Sequence, residues 1–216
     1  RKLAVISKIM TIAIDRGFLM KKPKIPKRKE LECAVTYLSA DQEQSIYNLF
    51  RQWGFDSQLN AFVVLVDTGM RMGELLSMTD RFVDFQTNLI MLPDTKSGAP
   101  RGIPMTKRVR EILLKRINNQ AIPGTSQRVF PHTYTWFKSQ WDRAREVLGR
   151  TDDDRFSPHI CRRTTASRLV QRGVHLKVVQ EWLGHKTIQV TMRYATLAPE
   201  SLHQAMNVLE QDFQQA

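Results

Sequence analysis

Apolar side chains recur at helical spacing along most of the chain. At the amino end Leu3, Ile6, Ile9, Met10 and Ala13 fall on one stripe, which predicts an amphipathic helix over residues 3–14 ending near Gly17. No packing partner for that stripe is evident in the sequence. The run KKPKIPKRKE then sets two prolines among lysines and an arginine. Proline removes a backbone donor and cannot sit inside a helix, so an extended linker is expected over 21–37. From residue 38 helical signals return. Ser39 is placed to cap a helix carrying Ile46, Leu49 and Phe50; SQLNAFVVLVDTG reads as a buried helix stopped by Gly69, and RMGELLSM as a short helix after it.

The period then shortens. RFVDFQTNLIMLP alternates apolar and polar side chains, and DTKSGAPRGIPM supplies turn residues before another short run, which predicts a small antiparallel sheet. Helices resume in TKRVREILLKRIN and in TYTWFKSQWDRAREVLG, the latter closed by Gly149. In SPHICRRTTASRLVQRG, Ser157 is a suitable N-cap, Pro158 takes the first helical position and Gly173 follows the last turn. LKVVQEWLGH predicts a helix ended by Gly184, and Thr187 is placed to cap a further one carrying Tyr194. Beyond it Leu202, Ala205, Met206 and Leu209 form a last apolar stripe. The expected fold class is mainly α with a small antiparallel β-sheet (α+β).

Charge narrows the partner. The 216 residues hold 33 Lys and Arg against 21 Asp and Glu, a net +12, which favours a polyanion. Residues 1–38 carry 10 of the basic and 3 of the acidic side chains, so the excess is concentrated in the amino-terminal strap. Nucleic acid is the first candidate. An anionic membrane surface is the rival, but no helix pairs a strongly apolar face with a Lys-rich one and aromatic anchors. No run of apolar residues is long enough for a membrane span, and the amino end lacks a signal-peptide core. Two cysteines, Cys33 and Cys161, make neither a disulfide framework nor a zinc motif, which fits a reducing cytoplasm.

Four separated patches bear on chemistry: TGMRMGELLSM with Arg71, DTKSG with Lys96, HICRR with His159 and Arg162, and LGH with His185 followed nine positions later by Tyr194. Each alone is an ordinary surface or core feature; the order Arg, Lys, His-x-x-Arg, His, Tyr is not. From about residue 38 onward this resembles the tyrosine recombinase (phage integrase) family of site-specific DNA recombinases. The resemblance implies that residues 1–20 are the last helix of a core-binding domain, 21–37 a basic linker and 38–216 the catalytic domain. It implies cleavage and rejoining of double-stranded DNA through a 3′-phosphotyrosyl intermediate in a bacterial or phage-infected cell. A homotetramer that exchanges carboxy-terminal tails, with accessory DNA-bending proteins, is also expected.

The residue types suit that chemistry on physical grounds. A phosphodiester under attack gathers negative charge on its non-bridging oxygens, and the guanidiniums of Arg71 and Arg162 meet such oxygens without losing their own charge. A phenol with a pKa near 10 needs a proton acceptor at neutral pH, and His159 stands one turn before Arg162. Lys96, in a turn between strands, suits a general acid for the departing 5′ oxygen, and the resemblance implies that His185 donates a hydrogen bond to the phosphate. Glu74, one turn after Arg71, is placed to orient its guanidinium. Lys21, Lys22, Lys24, Lys27, Arg28, Lys29 and Arg163 are the candidate DNA-backbone contacts. The set needs no cofactor and no metal, and the acidic run TDDD reads as a solvated loop. A type IB topoisomerase would share this chemistry, and a DNA-binding relative without catalysis is the alternative from another class. Relaxation with little sequence preference favours the first, and function undisturbed by Tyr194→Phe the second.

Overall fold

The computed structural model describes residues 2–23, 35–93, 100–120, 125–198 and 206. The chain divides into two compact units, residues 1–34 and 35–216. In the first, α1 (Lys2–Asp15) forms as the apolar stripe requires, and Leu3, Val5, Ile6, Ile9 and Ile12 are exposed along it. Lys24, Lys27, Arg28 and Lys29 lie outside the described residues, as do Lys96 and the tail positions Leu202, Ala205 and Leu209.

The second unit packs helices around an aromatic core. Ser39 closes a capping box with Gln42 and starts α2 (Ala40–Gln52), whose buried face carries Ile46 and Phe50. α3 (Asp56–Thr68) carries an unbroken apolar run from Ala61 to Val66 that is buried on all sides, the pattern of a central helix. α4 (Met72–Ser77) follows after Gly69. Phe50 meets Phe62 and Phe137 edge-on, with ring centroids 6.1 and 6.2 Å apart, and Phe137 stacks on Trp141 of α6 (Tyr134–Val147). The Trp141 indole N–H, buried with the ring, donates to the Phe156 carbonyl at 2.9 Å.

The sheet has three antiparallel strands in the order β1 (Val83–Asp84), β2 (Leu89–Leu92) and β3 (Arg101–Pro104), with Ile90 opposite Ile103 and Leu92 opposite Arg101. Alternation holds: Ile90, Leu92 and Ile103 are buried while Met91 between them is exposed. α5 (Lys107–Gln120) returns the chain to the core through Val109 and Leu113. A charge network then ties helices together: Glu43 of α2 pairs with Arg108 of α5 and with Arg168 of α7 (Ile160–Gln171), and Arg108 Nε donates to Asp67 of α3 at 2.7 Å.

The last three helices hold two departures from the expected boundaries. α7 begins at Ile160, two positions later than a helix capped by Ser157 would. Ile160 N–H donates to Ser157 O at 2.8 Å and Cys161 N–H to Pro158 O at 3.2 Å, so the entry is a tight 3₁₀-type turn and His159 takes the cap position. α8 (Leu176–Leu183) ends at Gly184 as expected. α9 (Ile188–Met192) is short, Thr187 gives it no side-chain cap, and Tyr194 lies past its end in a turn, its N–H on Thr191 O at 2.9 Å. Tyr194 is therefore carried after the helix and not within it. Cys161 is buried as an apolar residue, and desolvation pushes its thiol pKa up, which leaves it inert.

Candidate active site

Two helix ends meet where the candidate residues gather. α3 stops at Gly69 and α8 at Gly184, both in the left-handed region with φ of 65°. A Cβ on Gly69 would stand 2.9 Å from Leu183 Cδ2, and one on Gly184 would stand 2.8 Å from Arg101 Nη1. Glycine is thus needed at each place for the turn and for the close approach behind it.

Successive carbonyls at the end of α8 each accept from a different arginine. Arg101 Nε donates to Trp182 O at 2.9 Å, Arg162 Nη2 to Leu183 O, and Arg71 Nη2, more weakly, to Gly184 O at 3.4 Å. A helix leaves its last carbonyls unpaired and its macrodipole negative there, so cations are stabilised. Arg162, 3% exposed, places its second terminal nitrogen on Gly69 O at 2.8 Å. The ends of α3 and α8 therefore grip one guanidinium between them.

Glu74 completes the cluster. Its carboxylate accepts from the Arg71 backbone at 2.7 Å and from Arg71 Nη1 at 2.8 Å. Arg101 adds Nη2 at 2.8 Å and Nη1 at 3.2 Å. Burial alone would raise the carboxyl pKa, but the hydrogen bonds from Arg101 and Arg71 outweigh it and hold Glu74 below its usual range. Three guanidiniums face one carboxylate, which leaves an excess of positive charge around a partly desolvated hollow. Burial and then the charges of Arg71 and Arg101 push the Arg162 pKa down, yet a guanidinium keeps its proton at neutral pH.

Both imidazoles sit in that positive field. His159 is open to solvent on its outer side. Protein on its other sides desolvates it, and Arg162, Arg163, Arg71 and Arg193 add repulsion, which together push its pKa down to about 4. His185 has its Nδ1 2.8 Å from Thr191 Oγ1, and burial followed by Arg162, Arg71 and Arg193 pushes it down to about 4 as well. At neutral pH both rings are uncharged, and each can accept or donate one proton.

Tyr194 is 4% exposed and packs in a second apolar cluster with Ala166, Val170, Val179 and Leu183. Its hydroxyl makes no hydrogen bond to a described residue. Burial raises its pKa, against the opposing pull of Arg193, Arg162 and Arg163. The phenol both fills a core and lies within electrostatic reach of Arg162. Beside this group a cleft of about 210 Å³ is lined by Leu65, Met70, Met72, Tyr134, Ser157, Pro158, His159 and Arg162. A wider hollow is lined by Gly149, Arg150, Asp152, Asp153, Asp154 and Arg155 of the acidic loop.

The structure thus brings Arg71, Glu74, His159, Arg162, His185 and Tyr194 together around the end of α8. Arg163 stands at the edge, its Nη2 on Arg155 O at 3.1 Å, which pins the acidic loop to α7. Lys21 and Lys22 are exposed in the first unit, Lys22 donating to Thr11 Oγ1 at 2.9 Å.

The phage integrase family pattern matches residues 36–201. The chain belongs to the phage integrase family. It is 29% identical over 181 residues to the tyrosine recombinase XerA of Saccharolobus solfataricus, covering 84% of this chain and 58% of that protein. It is 30% identical over 185 residues to the integrase of Haemophilus phage HP1, covering 83% of this chain and 48% of that one. The chain therefore spans about half the length of these curated relatives. Among solved structures, the Tn1549 transposon integrase in complex with circular intermediate DNA matches with a TM-score of 0.66 at 24% identity, over 85% of this chain and 68% of that one. The catalytic domain of bacteriophage HP1 integrase matches with a TM-score of 0.59 at 26% identity, over 80% of this chain and 94% of that domain. The integrase fold is the one described above: helices around an aromatic core, with a small antiparallel sheet.

One residue of the cluster, Arg101, is absent from the sequence-derived set. It lacks a motif of its own, but the sheet period holds a signal. It lies two positions before Ile103, which is buried, so it occupies the inward face of β3. An arginine on an inward strand position requires a buried acceptor, and Glu74 provides it.

Proposed function

We propose that this chain is the DNA-cleaving part of a site-specific recombinase, with Tyr194 as nucleophile. The observation that carries the reading is the convergence of two guanidiniums, two neutral imidazoles and one tyrosine at the end of α8. The Tyr194 oxygen attacks the scissile phosphorus, and the bond from phosphorus to the 5′ oxygen breaks. Charge on the non-bridging oxygens is met by Arg71 and Arg162, with a hydrogen bond from His185. His159 takes the phenolic proton. The electron pair of the broken bond goes to the 5′ oxygen, which takes a proton from Lys96. The product is a 3′-phosphotyrosyl link with a free 5′ hydroxyl, and attack by the 5′ hydroxyl of another strand reverses the step.

The DNA-free electrostatics fit a site awaiting an anion. Burial and, after it, the cationic field depress His159, and burial raises Tyr194, so neither is tuned for proton transfer. A bound phosphodiester offsets part of that field, which raises the basicity of His159 as the substrate arrives. Residues 1–20 and the basic stretch from Lys21 to Lys29 extend the DNA interface, chiefly to phosphates. Similarity to the HP1 and Tn1549 integrases supports mobile-element DNA as the substrate, in a bacterial or phage-infected cytoplasm. The tail stripe around Met206, which is exposed, would seat on a neighbouring copy in a DNA-bound homotetramer, with DNA-bending accessory proteins assisting.

The test is a duplex carrying a nick beside the cleavage point, so that the short 5′ fragment diffuses away and traps the intermediate. Wild-type protein should give a DNA-linked band on a denaturing gel, and Tyr194→Phe should give none while binding DNA equally. Binding without a band from the wild type rejects the reading.

A further inference from the structure

Arg101 bears the marks of a residue that works through another. Its side chain is 7% exposed and, unlike that of Arg162, does not line the cleft beside the site. Its fork is engaged by both oxygens of Glu74, and its Nε by the Trp182 carbonyl. Glu74 in turn holds both the backbone N–H and Nη1 of Arg71. Without Arg101, the buried carboxylate would keep its bonds to Arg71 but lose the partner that fixes its plane.

The same residue connects three elements. It opens β3, its guanidinium lies against the last turn of α8, and the glycine that ends α8 has no room for a Cβ because Arg101 is there. Arg71 and Arg162 take the next two carbonyls there. Arg101 therefore sets the spacing between Glu74 and the helix end on which both substrate-facing arginines rest.

We propose that Arg101 is a positioning residue for strand transfer, holding Glu74 and through it Arg71 in the geometry that meets the non-bridging oxygens of the scissile phosphate. The inference rests on the recombinase reading given above. It requires that the loss on removing Arg101 fall on the chemical step and run through Arg71. A residue that only stabilised the fold would weaken DNA binding and cleavage together, whatever stood at position 71.

Arg101→Lys keeps a charge beside Glu74 but cannot supply the fork and the third donor at once. Arg101→Met removes both, and the lysine variant serves if the methionine one does not fold. The measurement is single-turnover covalent capture on the nicked duplex at saturating DNA, with DNA affinity measured alongside. The lysine variant should cleave about 10²-fold more slowly than wild type, the usual scale for an ångström-level misplacement of a catalytic group. DNA affinity and unfolding midpoint should stay near the wild-type values.

In an Arg71→Ala background the same change should cost at most a few fold, because the residue it acts through is already gone. A duplex with a neutral methylphosphonate at the scissile position, which carries no anionic oxygen for Arg71 to stabilise, should shrink the lysine variant's defect to a similar degree. Wild-type cleavage rates in Arg101→Lys, or a full penalty persisting beside Arg71→Ala, overturn the proposal. Affinity falling in step with rate also overturns it. Absence of any covalent band from the wild type rejects the recombinase reading itself, and is told apart because it appears before any variant is made.

Discussion

At the scale of single residues the site is defined by what burial and, after it, the cationic field do to protons. His159 and His185 are both pushed from an ordinary 6.5 to about 4. Between those values the unfolded chain binds more protons than the folded one, so stability rises with pH across the window. The contribution is complete above about 6.5 and is lost as pH falls through about 4. Thermal unfolding of His159→Asn should therefore show a shallower acid-side decline between pH 4 and 6.5 than wild type, and identical slopes would show that the imidazole is not depressed. Tyr194 makes the complementary case. Its hydroxyl has no hydrogen bond to a described residue, so Tyr194→Phe should change stability by no more than about 0.5 kcal/mol, the scale of a substitution that breaks no interaction. A calorimetric loss of several times that amount would reveal a partner for the hydroxyl. The order of Arg71, His159, Arg162, His185 and Tyr194 can be read from sequence because local motifs carry it. Arg101 cannot be read that way, since its role exists only once β3, α4 and α8 meet.

Elements are legible where one local rule suffices. Ser39 with Gln42, Gly69 and Gly184 mark helix limits through chemistry confined to a few residues, and the alternation around Ile90 and Ile103 marks the sheet. The start of α7 departs from the Ser157 boundary because Ser157 and Pro158 also suit a 3₁₀ turn, and tertiary packing selects it. Tyr194 falls outside its expected helix because α9 stops at Met192 with no local stop signal. The junction of α3 and α8 gives the sharpest element-scale prediction. Gly69→Ala must adopt φ of 65° with a Cβ 2.9 Å from Leu183 and 3.1 Å from Thr165 Cβ. The left-handed strain and the overpacking together should cost about 2–4 kcal/mol. Because Gly69 O also accepts from Arg162, covalent capture should fall further than the stability loss explains. Gly54→Ala is the control: φ is 71° but nothing lies within 4 Å of its Cβ, so only the backbone strain of about 1 kcal/mol should appear. Equal losses at the two glycines, read by chemical denaturation, would show that the close approach of α8 carries no weight.

On the scale of the whole molecule, a net +12 has two separate uses. Under the recombinase reading proposed above, Arg71 and Arg162 at the end of α8 face one phosphate, so they govern the rate of cleavage and contribute little to the total number of counterions released. Lys21 and Lys22 of the strap are exposed, and each can neutralise a backbone phosphate irrespective of sequence. The two uses separate under salt. Replacing Lys21 and Lys22 with glutamine should make the plot of log affinity against log salt shallower by about 0.9 for each phosphate no longer neutralised, the value for B-form DNA. Binding to specific and random duplexes should weaken alike, and the covalent-capture rate at saturating DNA should be unchanged. Arg162→Ala should do the reverse, leaving the salt slope within about one unit while lowering the capture rate by about 10³-fold, as expected for losing a principal donor to the transition state. A salt slope unmoved by the lysine changes would place the strap away from the DNA backbone. A capture rate that fell with them at saturation would mean that the strap also shapes the site, and the division of charge between binding and chemistry would fail.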